Sequence, residues 1–226
     1  MIEIQNRISI QVGLSGYSFK IEAGDAIRSS GWMSAESVFT TAELQRRYDD
    51  VEVSVFTPYC TLLPRQFFSE NEAVSQLSDL MNLPEGAMVE WTPVPEFDAV
   101  MVYSNAIGGT LHKVVAESVL MVDGGKSKPL PEMFYMLKSL SDITEYNRIV
   151  ASYVDGVLYL AVAQGKTLML CNSFKAPDFT TALYHIFLVL NKLQLNLEMS
   201  TIYFRTPLQE HEELTLYRYF KSVEQI

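Results

Sequence analysis

Large apolar residues alternate with smaller polar ones over residues 8–14 (Ile-Ser-Ile-Gln-Val-Gly-Leu) and again over 17–22 (Tyr-Ser-Phe-Lys-Ile-Glu), with Ser15-Gly16 between them. Period-two alternation around a glycine-bearing turn predicts a β-hairpin. The pattern then predicts a short helix over 41–48, with Thr40 or Thr41 as N-cap, and a strand over 51–56 that stops at Pro58. Residues 71–81 read as a polar helix with Val74, Leu77, Leu80 and Met81 on one face, and 98–103 as a strand apolar enough to be buried on both sides. A further segment opens on Gly108-Gly109-Thr110.

Residues 123–131 (Asp-Gly-Gly-Lys-Ser-Lys-Pro-Leu-Pro) are the most loop-like in the chain and predict a linker between two halves, 1–125 and 126–226. Beyond it, 131–140 carries Met133, Phe134, Met136, Leu137 and Leu140 as a broad helical stripe. Strands at 148–154 and 157–163 flank Asp155-Gly156, a dipeptide suited to a type I′ turn, and 167–174 supplies a third strand after Gln164-Gly165-Lys166. Pro177 opens a long helix with Phe179, Leu183, Ile186, Leu190 and Leu193 at helical spacing. A strand at 201–205 and a helix from Glu210 to about Val223 close the chain, with Glu210, Glu212 and Glu213 at the positive end of the helix dipole. Each half thus reads hairpin, third strand, helix, strand, helix, an architectural duplication without residue-level repetition.

Repeated in this way, the pattern resembles the actin-like ATPase (ribonuclease H-like) fold, in which two duplicated mixed-sheet sub-domains are flanked by helices. Three passages, 8–21, 51–68 and 165–179, resemble an uncharacterised bacterial family of that fold, itself similar to the cell-division protein FtsA and the pilus protein PilM. The last is the most distinctive, with Asn172-Ser173-Phe174 ending a strand and Pro177-Asp178-Phe179 starting a helix. The resemblance implies a final strand and helix after residue 220, so a shortened or incomplete second half is expected. It also implies a cleft between sub-domains where phosphates lie in two glycine-rich turns, each preceded by an aspartate that organises Mg²⁺.

The residues answer that implication unevenly. At the first aspartate position stands Gln11, which cannot neutralise a metal, leaving Gly13, Ser15 and Gly16 as a neutral turn. Asp155-Gly156 is too tight to wrap a phosphate, and the absence of glycine after Gly165 denies a base the backbone approach an adenine pocket needs. Gly108-Gly109-Thr110 reads either as an anion nest opening a helix or as a plain turn. Asp123-Gly-Gly-Lys-Ser127 ends like a phosphate loop, but Leu120 occupies the first glycine position, and Pro129 and Pro131 interrupt the required helix. A nuclease needs an acid where Gln11 stands, and a serine hydrolase elbow is missed by one position at Gly13-Leu-Ser-Gly16. His112, His185 and His211 fall on three separate helices and do not compose a triad or a metal site.

Composition narrows what remains. With 48% hydrophobic and 19% charged residues, the 226-residue chain is globular. Seventeen Lys+Arg against 27 Asp+Glu give a net charge of −10, which repels phosphate backbones and anionic lipid. No apolar run reaches a membrane span, the first residues lack a secretory pattern, and Cys60 and Cys171 are too far apart for a Cys-x-x-Cys motif, so a cytoplasmic setting is expected. The expectation is a non-catalytic scaffold or assembly protein with a degenerate nucleotide site, no cofactor and an unidentified protein partner. The stripe Met133-Phe134-Met136 and the end Tyr217-Tyr219-Phe220 are candidate contact surfaces, with core packing as the competing reading. The alternative is an ATPase binding Mg·ATP through Gly13, Ser15, Gly16, Gly108 and Gly109.

Overall fold

The computed structural model describes residues 6–107 and 109–226. Their packing forms two compact units, Met1–Thr57 with Asn105–Glu132, and Pro58–Ser104 with Met133–Ile226. The chain runs β1 (Asn6–Val12), β2 (Gly16–Ala23), β3 (Ala26–Ser29), β4 (Met33–Ser34), β5 (Arg47–Tyr48) and β6 (Asp50–Val55). Then come β7 (Cys60–Pro64), α1 (Ala73–Ser78), β8 (Glu90–Val94), β9 (Ala99–Tyr103), α2 (Leu111–Ser118), β10 (Leu120–Met121), β11 (Leu130–Pro131) and α3 (Glu132–Asp142). It closes with β12 (Asn147–Val154), β13 (Val157–Gln164), β14 (Thr167–Lys175), α4 (Phe179–Lys192), β15 (Thr201–Phe204), α5 (Glu210–Leu216) and β16 (Ser222–Gln225).

The first unit is built on a mixed sheet in the order β11-β6-β1-β2-β3, with β4 also paired to β2. β1 is antiparallel to β2 and parallel to β6, and β6 is parallel to β11. Alternation places Ile8, Ile10 and Val12 fully out of water, against Val38, Leu44, Val115 and Val119. The second unit repeats the plan in the order β14-β13-β12-β15-β16, antiparallel from β12 towards β14 and parallel from β12 towards β16. Its core pairs Ile149, Leu158, Leu160 and Ile202 with Ala182, Ile186 and Leu190 of α4. Two sheets with one strand order are the physical form of the duplication read in the sequence.

The second unit also holds a smaller sheet, β7-β9-β8, all antiparallel, covered on one face by Ala73 and Leu77 of α1 against Val100 and Val102. β9 is buried at every position, as its apolar sequence predicts. Asp155 and Gly156 adopt φ of +52° and +71°, the two positive values a type I′ turn requires. Asp178 rather than Pro177 begins α4: its carboxylate accepts the Thr181 N–H at 2.7 Å, which also holds the Asp178 pKa down, backbone and hydroxyl bonds from Thr181 being the main causes.

Four local expectations are corrected. The predicted helix over 41–48 is only a 3-10 turn, Ala42–Gln45, because Thr41 spends its hydroxyl on Tyr17 and the Ser37 carbonyl and provides no side-chain cap. The helix over 71–81 shrinks to α1, and its buried spacing is Ala73 and Leu77; Val74 and Leu80 are exposed. The predicted linker turns back against β10, with Lys126 bridged to Leu120, and ends as β11, a parallel strand beside β6. The last helix stops at Leu216, and 222–225 pair with β15 instead, since β15 otherwise leaves a row of backbone donors and acceptors open and Val223 is β-branched and buried.

Candidate functional site

Gly13, Ser15 and Gly16 lie at the turn of the first hairpin. The Gly13 N–H donates to the Gly16 carbonyl at 2.9 Å, so Leu14 and Ser15 form a two-residue turn between β1 and β2. Ser15 Oγ accepts the Trp32 indole N–H at 3.0 Å. A Cβ on Gly16 would lie 1.9 Å from the Met33 carbonyl oxygen, so this glycine is demanded by the close passage of β4. Gly109 is exposed in the loop before α2, with open space around it, and Thr110 stands at the α2 N-cap without a side-chain cap bond. Gly108 lies outside the described residues.

Gln11 is the residue on which the site turns. On three adjacent strands Ser18, Gln11 and Ser54 stand in register, so their side chains share one face of the sheet. Ser18 Oγ donates to Gln11 Oε1 at 3.1 Å, Gln11 Nε2 donates to Glu132 Oε1 at 3.0 Å, and Ser54 Oγ donates to Glu132 Oε2. Glu132 is fully buried in the first turn of α3, where the helix dipole favours a carboxylate. A glutamine suits this row because it accepts from one neighbour and donates to the other, whereas an aspartate there would face Glu132 with like charge. Sequence reasoning missed Glu132; the available signal was a set of polar residues at matching positions in otherwise apolar strands.

These groups do not fit a metal-bound triphosphate. The amide at the metal-organising position is spent on Glu132, the space beside Gly16 is filled by backbone, and Asp155-Gly156 closes a two-residue turn. The phosphate-loop echo folds as a turn in which Asp123 accepts the Gly125 N–H at 2.8 Å and Lys126 is paired to Glu117, and β11 rather than a helix follows the lysine. Among the described residues no cluster of three or more His, Cys, Asp or Glu could hold a metal.

Elsewhere, burial pushes the Cys60 thiol up to about 12. Cys171 is pushed up as well, by burial and then by Cys60, and its thiol meets the Met133 sulfur at 3.1 Å. Thiols so raised are poor nucleophiles. Of the candidate contact surfaces, Met133 and Met136 are core residues, as the core-packing reading of that stripe has it, while Tyr217 and Tyr219 are about half exposed and Phe220 is buried.

The sequence profile of the DUF3822 proteins of unknown function matches residues 4–223. The chain belongs to this family. Comparison of the DUF3822 chain with curated protein sequences finds no match. Among solved structures it is similar to a Bacteroides thetaiotaomicron protein with an actin-like ATPase fold and unknown function, at 18% identity and a TM-score of 0.67, covering 100% of this chain and 94% of that one. It is also similar to a chain of the PilM-PilN type IV pilus biogenesis complex, at 13% identity and a TM-score of 0.51, covering 97% and 88%. The fold of this DUF3822 protein is therefore the actin-like ATPase fold. No helix among the described residues is long and apolar enough to cross a membrane.

Proposed function

We propose that this protein is a non-catalytic scaffold or assembly factor that works by binding another protein, with the nucleotide site of its fold degenerate. The observation that carries this reading is the Gln11–Glu132 hydrogen bond, which commits the side chain at the metal-organising position to an internal buried contact. Similarity to a chain of the PilM-PilN complex supports a role in assembly, and Cys60 and Cys171, which form no disulfide among the described residues, suit a reducing, cytoplasmic setting.

A thermal-shift series with Mg·ATP, Mg·GTP and their diphosphates tests it. A ligand held at 100-fold its Kd adds about 2.7 kcal/mol to stability, so a surviving site raises the melting temperature visibly. The expected result is a flat response with no phosphate release. Tight ATP binding abolished by Gly13→Val overturns the proposal in favour of an ATPase.

A further inference from the structure

Residues 58–104 differ from the rest of the chain in charge and in surface. They hold seven carboxylates and one cation, Arg65, so 1 − 7 = −6 of the chain's net −10 falls here. Glu70, Glu72, Asp79, Glu85, Glu96 and Asp98 are exposed, and none of these six takes part in an ion pair among the described residues. The same segment exposes large apolar side chains: Phe67 is 67% and Met88 78% exposed.

Within this surface is a cavity of about 370 Å³ walled by Phe68, Trp91, Pro93 and Pro95, with Arg65 and Asp98 as its polar groups. The Phe68 and Trp91 rings meet at 5.3 Å between centroids, so the aromatic wall is fixed by its own packing. Glu90 and Glu96 are the chain neighbours of Trp91 and Pro95. A cavity this size takes one large side chain and part of its flanks. Aromatic and proline walls select an apolar anchor, and a carboxylate rim selects cations beside it.

We propose that this cavity is the anchor point for a basic segment of a partner protein, which seats one aromatic or large aliphatic side chain against Trp91 and Phe68 while its Lys and Arg side chains face the surrounding carboxylates. A second copy of this chain is disfavoured because it brings the same negative charge. Anionic lipid and nucleic acid are repelled for that reason also. The inference rests on the protein-binding reading above and adds the surface and the chemistry of the partner.

The test uses the full chain and fluorescence anisotropy with a labelled lysine-rich peptide carrying leucines and a single central tryptophan. A matched peptide with every lysine replaced by glutamate, and another with the tryptophan replaced by alanine, serve as comparisons. Binding is expected for the first peptide, about tenfold or more weaker for the alanine peptide and for the Trp91→Ala protein, and weaker as salt rises from about 50 to about 300 mM. Glu96→Gln with Asp98→Asn weakens it too; asparagine tolerates the left-handed backbone at position 98, where φ is +46°, so this variant keeps its fold if Trp91→Ala does not. Asp25→Asn with Glu36→Gln, the same charge change on exposed residues elsewhere, leaves binding unchanged.

No binding of the lysine peptide, equal binding of the glutamate peptide, or equal loss from both pairs of charge variants overturns the inference. Failure here with a flat nucleotide response leaves the degenerate-site reading standing. Peptide binding together with a nucleotide response does the reverse.

Discussion

Gln11 shows how one side chain can satisfy a buried polar row. Its amide both accepts from Ser18 and donates to Glu132, so the row across three strands is satisfied and a fully buried carboxylate is partnered. Gln11→Asp removes the donor and places two carboxylates together. At neutral pH this variant is expected to lose about 1–3 kcal/mol in urea unfolding, the usual cost of leaving a buried polar group without its partner. A variant as stable as the parent would show that the row contributes nothing. Gln11 was visible in the sequence as a departure from an aspartate, but its partner was not, because residues 11 and 132 meet only once β6 and β11 lie beside β1.

At the scale of elements, the hairpins were legible because alternation and turn chemistry are local. The 3-10 turn at Ala42–Gln45 was overestimated because periodicity cannot see that a capping hydroxyl is spent on a tyrosine, and the short α1 because only Ala73 and Leu77 of its residues find a core to face. Gly16 looked like part of a phosphate turn, and β4, which explains it, comes from a two-residue strand with almost no pattern of its own. Gly16→Ala is therefore expected to destabilise the protein by about 1–3 kcal/mol, as overpacking against fixed backbone does. Gly109→Ala, with open space around it, is expected to be neutral. Equal melting temperatures for the two variants in a thermal scan would remove the structural explanation of Gly16.

For the whole molecule, stability against pH integrates such local contacts. His112 is buried, its Nδ1 finds no hydrogen-bond partner among the described residues, and desolvation, with Lys113 adding to it, pushes its pKa below 6.5. The unfolded chain then takes up the proton first, so this contribution is complete above pH 6.5 and is lost as pH falls towards the lower folded value. His112→Asn should flatten that acid limb in chemical denaturation measured from pH 7.5 to 5.5; an unchanged slope would assign the limb to other groups.

By itself the sequence determined the repeated order of strands and helices, the type I′ turn at Asp155-Gly156, the absence of an aspartate at position 11 and the overall acidity, since each is set by neighbours along the chain or by simple counting. Only the tertiary structure decided that β16 pairs beside β15 in the second sheet, that Gly16 answers to β4, that Glu132 takes the Gln11 amide, and that Trp91 and Phe68 wall a cavity in the acidic segment. Those facts depend on strand register and on residues far apart in sequence, and neither periodicity nor composition carries that information.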